Sequence, residues 1–305
     1  MGGGGMDRDV RVLLEGGSYF EGPRWHNGRW YVSDFYRHEV LAVTPDGREE
    51  TVVEVEGQPS GLGWMPDGSM LVVSMKDRVV LRRHPEGAVK VHADLSALCP
   101  FKANDLVVDR AGGAYVGHFG FDLMAGADPV TTTLIRLDPD GRASVAAEDL
   151  HFPNGMAITP DGATLLVDET LGCRVSAFHI QPDGSLTDRR VWAQLDPTPP
   201  AGLTFTELLG QLGVTPDGCG LDADGHLWIA DALGSRAIRV SPAGQIVDEV
   251  RPPNGFGTFA CMLGGDDGRT LLLCTAPDFA EANRKDTREA ILFTTTVEVP
   301  HAGLP

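Results

Sequence analysis

Short apolar runs rich in Val, Leu, Ile, Trp and Tyr alternate with compact polar turns along nearly the whole chain. Pro45-Asp46-Gly47, Pro66-Asp67-Gly68, Pro139-Asp140-Gly141, Pro160-Asp161-Gly162, Pro182-Asp183-Gly184 and Asp224-Gly225 each separate two such runs. Asp and Gly tolerate the backbone dihedrals that a tight turn needs, so each reads as the tip of a β-hairpin. Helical periodicity is confined to two short stretches, 94–98 and 206–212. The pattern predicts an all-β chain.

A longer phrase repeats: a polar residue, often followed by Gly, then four to six residues, a turn with Gly, and an apolar strand. It occurs as Glu21-Gly22 before Gly28, Ser60-Gly61 before Gly68, Asn104-Asp105 before Gly112, Asn154-Gly155 before Gly162, and Asp217-Gly218 before Gly225. A sixth, weaker copy is found by counting back from Gly268 to Ala260. The polar positions lie 39, 44, 50, 63 and 43 residues apart, close to the length of one four-stranded propeller blade. The expected fold is therefore a six-bladed β-propeller. Its last blade runs short of strands, so a strand near residues 10–14 is expected to complete it and close the ring, removing exposed edges.

Equivalent positions on the innermost strands of a propeller converge on its axis. That ring reads Glu21, Ser60, Asn104, Asn154, Asp217 and Ala260. Two carboxylates and two amides in one narrow channel are costly without a counter-cation. An all-oxygen set lacking His and Cys selects hard divalent ions. Glu21, Asn154 and Asp217 are the expected ligands of one metal ion; ordinary turn residues before Gly are the competing explanation.

Composition narrows the partners. Acidic residues number 43 against 25 basic ones, a formal charge of -18, and no cluster of Lys or Arg forms a patch. Nucleic acid and anionic membranes are poor partners for such a surface. No apolar stretch reaches the roughly 20 residues of a membrane helix and no signal peptide is recognisable, so a cytoplasmic protein is expected. Five widely spaced cysteines without a C-x-x-C pair fit a reducing compartment and small buried hydrophobes. One propeller domain is expected over 8–305, with a disordered tail over 1–7.

The motifs Glu21-Gly22-Pro23, Phe101-Lys102-Ala103-Asn104-Asp105, Phe152-Pro153-Asn154-Gly155 and Pro216-Asp217-Gly218, together with Leu221-Asp222-Ala223-Asp224-Gly225-His226-Leu227-Trp228, carry a resemblance. In order and spacing over residues 15–275 the chain resembles the SMP-30/gluconolactonase/LRE family, which includes regucalcin and bacterial sugar lactonases. The resemblance implies that Glu21, Asn154 and Asp217 bind a divalent ion, calcium first, with magnesium, manganese, zinc or iron(II) as alternatives. It also implies that Asn104 contacts substrate or lies near the metal. Lys102 stands where similar sugar lactonases often have Arg, replacing a planar fork by a point charge. The segment Gly117 to Asp122 stands where they carry a substrate-binding Glu, and here it offers Phe119, Phe121 and His118. A more apolar pocket is expected, with His118 either a substrate contact or a structural histidine, and with the loops 122–132 and 196–211 as its rim.

The expected activity is metal-dependent opening of a lactone ring. The ion would polarise the carbonyl and activate water, either Asp217 or the metal-bound hydroxide itself would serve as the base, and Asn104 and Lys102 would stabilise the oxyanion. The motifs of serine hydrolases, zincins and P-loop proteins are absent. Asp222-Ala223-Asp224-Gly225 lacks the twelfth-position Glu of an EF-hand loop and reads as a hairpin turn. The competing functions are a non-catalytic calcium- or ligand-binding propeller and an ester or organophosphate hydrolase on the same site. A small-molecule substrate and a monomer or small homo-oligomer are expected.

Overall fold

The computed structural model describes residues 8–303, so the tail expected over 1–7 lies outside the described residues. Six four-stranded antiparallel sheets form the blades of a propeller. Blade 1 is Phe20–His26, Arg29–Asp34, Glu39–Val43 and Glu49–Glu54, from the axis outwards. The inner strands of blades 2 to 5 are Pro59–Trp64, Ala103–Val108, Pro153–Ile158 and Pro216–Leu221. Blade 6 has Gly257–Gly264 inside, then Thr270–Ala276 and Ala290–Thr296, and its outermost strand is Arg11–Gly17. The predicted closure is thus present: Arg11 pairs with Thr294 and Gly17 with Ala290.

The blades touch through apolar side chains that alternate inward along each strand, such as Val107, Tyr115, Met156 and Val167 between blades 3 and 4. Glycines let the inner strands come closer still. A Cβ on Gly155 would lie 2.3 Å from the Asp217 carbonyl oxygen, and one on Gly22 would lie 2.6 Å from that of Ser60. The Gly that follows a ring residue is there because a neighbouring backbone occupies the space of its side chain.

The hairpin reading of Asp222 holds. Its Oδ1 accepts the Asp224 and His226 amides at 2.9 and 3.0 Å, and its Oδ2 pairs with Arg239 Nε at 2.6 Å. All five cysteines are buried and free. The helix expected over 206–212 appears as Phe205–Leu209, started by a Thr204/Glu207 capping box. The stretch 94–98 is the end of a strand followed by a turn, closed by the Leu98 amide on the Leu95 carbonyl. A second helix, Glu281–Arg284, was not expected. Among the described residues, no helix is long and apolar enough to cross a membrane.

Candidate active site

The inner strands of blades 1 to 5 share an irregularity at the ring position, which starts the skip in blade 1 and lies inside it in blades 2 to 5. Pairing skips from Glu21 to Arg24, from Pro59 to Leu62, from Ala103 to Leu106, from Pro153 to Met156 and from Pro216 to Cys219. Such a bulge re-aims a side chain, and here it accompanies Glu21, Asn104, Asn154 and Asp217 lining one axial cavity. In blade 6 the skip runs only from Thr258 to Ala260. A one-residue shift exchanges the faces of a strand, so Phe259 lines the cavity. Ala260, the residue expected in the ring, is buried where a Cβ on Gly218 would meet it at 2.5 Å.

The polar groups of the floor are tied together. Asn104 Nδ2 donates to Asn154 Oδ1 at 3.0 Å, and Asn154 Nδ2 donates to Thr170 Oγ1 at 3.1 Å. Thr170 Oγ1 in turn donates to the Pro216 carbonyl at 2.7 Å, beside Asp217. Ser60 Oγ lies 3.4 Å from Asn104 Oδ1. The Glu21 carboxylate accepts the Gly22 amide at 2.9 Å and keeps a partly exposed face, because it opens into the cavity.

Burial, reinforced by the charge of Asp217, pushes the Glu21 pKa well above its ordinary value. Burial and the charge of Asp105 do the same to Asp217, against the opposing hydrogen bond from Asn154. Asp105 is itself paired with Arg24 at 2.9 Å. Neither Lys, Arg nor His is among the described residues that line the cavity. Two carboxylates therefore face one space with no cationic side chain there to balance them.

A second ring sits two residues before the first. The amides of Phe35, Met75, Phe119, Thr170 and Ala232 bond to the carbonyls of Tyr19, Gln58, Lys102, Phe152 and Thr215, each at 2.9 to 3.1 Å. From this ring Tyr19, Phe35, Phe119, Phe152, Thr170, Thr215 and Ala232 line the cavity. Sequence reasoning found only Phe119 among them, although counting two residues back from each ring position would have found Tyr19, Phe152 and Thr215.

Three expected substrate contacts lie elsewhere. Lys102 does not line the axial cavity; its Nζ bonds to Glu281 Oε2 at 3.0 Å and to Gln58 Oε1 at 3.1 Å. The Glu281 carboxylate is held down at about 2 by these contacts and by Lys76, against its partial burial. His118 pairs opposite Ala103, the blade position filled in blades 1, 4 and 5 by the buried acids Asp34, Glu169 and Asp231. Its ring bonds to the hydroxyls of Thr132 and Thr133 at 3.0 Å, and burial lowers its pKa to about 4. Phe121 stands behind the wall, with ring centroids 6.0 Å from Phe152 and 6.3 Å from Phe205. Leu123 and Met124 of one expected rim loop, Phe205 and Leu209 of the other, and Leu212 just past it line the cavity.

Beneath the floor, Asp168 is fully buried in the blade beside Cys219, and burial pushes its pKa well up. Neither of its oxygens finds a hydrogen bond of good geometry among the described residues, although the Cys219 thiol lies close. The neutral acid is the form such a site favours.

The sequence model described as "SMP-30/Gluconolactonase/LRE-like region" matches residues 20–277. A 6-deoxy-6-sulfogluconolactonase of Pseudomonas putida is 24% identical over 277 residues, covering 90% of this chain and 89% of the relative. A pentonolactonase of Haloferax volcanii is 27% identical over 260 residues, covering 84% and 81%. Among solved structures, a calcium-binding protein, regucalcin, from Agrobacterium tumefaciens superposes with a TM-score of 0.77 at 20% identity, over 96% of this chain and 95% of the other. That likeness speaks to the fold alone.

Proposed function

This chain belongs to the SMP-30/gluconolactonase/LRE-like family, and from that premise we propose that it is a lactone hydrolase whose reaction centre is the axial floor. The observation that carries this reading is the pair Glu21 and Asp217. Both line the axial cavity, both are pushed towards protonation, and no cationic side chain lines that cavity among the described residues. The names of the aligned relatives, both lactonases, support the same reading.

The donor set fits one hard divalent ion. Among the described residues no three His, Cys, Asp or Glu side chains converge, so an ion would be held by two carboxylates and an amide oxygen: Glu21, Asp217 and Asn154. Calcium suits such oxygen ligands, and magnesium, manganese, zinc and iron(II) are the alternatives that elemental analysis separates. When bound, the ion supplies positive charge that polarises a carbonyl and acidifies water.

The chain's own groups do the rest. Asn104 holds Asn154 through one amide hydrogen and offers the other to the carbonyl oxygen as negative charge develops. Asp217 accepts the proton lost by the attacking water and returns it to the ring oxygen as the carbon–oxygen bond breaks. The aromatic wall keeps bulk water from the floor and strengthens these interactions. Lys102 is not needed in this scheme, since its ammonium is already satisfied by Glu281 and Gln58.

The test is hydrolysis of a panel of γ- and δ-lactones, simple esters and organophosphates with and without chelator. Lactone turnover that chelation abolishes and calcium or manganese restores is the expected result. Inertness towards every lactone, with metal bound, would point instead to a binding propeller. Faster turnover of the esters or organophosphates would reassign the reaction.

A further inference from the structure

The wall above the floor is hydrocarbon. Tyr19 packs between Phe35 and Phe259 with ring centroids 5.0 and 4.9 Å away, and Phe119 lies 4.9 Å from Phe152. Leu212 and Met124 line the same cavity. The space they leave is about 100 Å³. That is less than the roughly 150 Å³ of an apolar cavity that holds benzene, so a small ring sits only partly inside and its substituents lie towards the rim residues Met124 and Leu212.

The polar groups in the cavity have little capacity for sugar hydroxyls. Thr170 Oγ1 is used by Asn154 and Pro216. Thr215 Oγ1 is used by Asp231 and the Leu233 amide, at 3.2 and 2.8 Å. Asn154 is bonded at both ends of its amide. What remains is Asn104's second amide hydrogen, the hydroxyls of Tyr19 and Tyr36 and the two carboxylates reserved for the ion. A hydroxyl placed against the phenylalanine, leucine and methionine faces of this wall gives up its hydrogen bonds to water and gains none, whereas a methylene gains from burial.

We infer, on the basis of the lactone-hydrolase reading above, that the substrate is a small lactone whose ring carries hydrocarbon, such as an alkyl-substituted γ- or δ-lactone, and not a polyhydroxylated sugar lactone. The aromatic wall receives the hydrocarbon face of the ring while the carbonyl points to the floor.

The experiment compares kcat/KM of the calcium-loaded protein for δ-valerolactone, its alkyl-substituted homologues and gluconolactone, by pH-stat with spontaneous hydrolysis subtracted. We expect a gain of roughly fourfold per methylene over the first few carbons and gluconolactone at least about tenfold below δ-valerolactone. Leu212→Ser and Met124→Ala, both at half-buried positions, should flatten the dependence on alkyl length. Gluconolactone turnover equal to or above that of the alkyl lactones overturns this inference and leaves the hydrolase reading standing. Absence of turnover for every lactone overturns the hydrolase reading itself. Binding of fluorobenzene, followed by fluorine NMR in the chelator-treated protein, reads the cavity without any chemistry; saturable binding weakened by Leu212→Ser is expected, and no binding overturns the apolar site.

Discussion

Asn104 Nδ2 donates to Asn154 Oδ1 across 3.0 Å, which joins blade 3 to blade 4 on the axis. The bond fixes which end of the Asn154 amide presents oxygen. Asn104→Leu keeps the volume and removes that control, and it also removes the donor proposed for the carbonyl oxygen. We expect a fall in kcat of about 10²-fold or more with a weakening of metal affinity of about 10-fold or more. Steady-state kinetics alongside calorimetric metal titration separates the two; an unchanged kcat would exclude Asn104 from the reaction.

Asp161 and Asp217 sit in identical Pro-Asp-Gly tripeptides and should answer differently to the same substitution. Asp161 is exposed at a hairpin tip, where it accepts Thr159 Oγ1 at 2.6 Å and the Ala163 amide at 3.0 Å. Asp161→Ala should destabilise by about 1 kcal/mol or less and spare activity. Asp217→Ala deletes one of two axial carboxylates, and metal affinity and turnover should fall together while the circular dichroism spectrum is retained. Full metal-dependent activity in the Asp217 variant would displace the proposed centre.

Burial holds His118 neutral down to about pH 4, whereas an unfolded histidine takes its proton near 6.5. Between those values the unfolded chain binds more protons than the folded one, so stability falls as pH falls through the window and is flat above it with respect to this group. The contribution lost is on the order of 3 kcal/mol. Urea unfolding at a series of pH values should show a shallower acid loss in His118→Gln than in the parent, and parallel curves would mean that His118 is hydrated.

Removing the ion should lower Tm, because a ligand that binds only the folded state stabilises it by mass action, by about 2.7 kcal/mol at a hundredfold excess over Kd. Part of that gain is relief of the Glu21–Asp217 repulsion, so Glu21→Gln should raise the Tm of the chelated protein while lowering that of the calcium-loaded one. Calorimetric scans of four samples, two proteins with and without calcium, decide this. Coincident scans for all four would leave no role for an axial cation.

The blade count, the closing strand and four of the ring residues were legible because turn glycines recur seven or eight residues after an oxygen-bearing side chain. Ala260 was misplaced because that distance is measured from the turn, whereas the axial side chain is selected by the bulge, which in blade 6 skips fewer residues. Lys102 could not be settled from its motif, since its partner Glu281 lies 179 residues away in an unexpected short helix. Phe35 was missed for a different reason: apolar patterning marks an aromatic residue as core, and nothing local distinguishes a ring facing the core from one facing a cavity.

Closure of blade 6 by Arg11–Gly17 also sets a timetable. At about 5–20 residues per second, a ribosome needs on the order of 15–50 s between the codons for Glu21 and Ala290. Throughout that interval the first-made strand has no partner, since Ala290–Thr296 does not yet exist. Long-range pairing of this kind is slow and leaves sticky edges exposed. The nascent chain therefore waits with an unpaired edge until Ala290–Thr296 is made, which makes slow-growth expression and chaperone supply the levers on how much closed propeller a cell obtains.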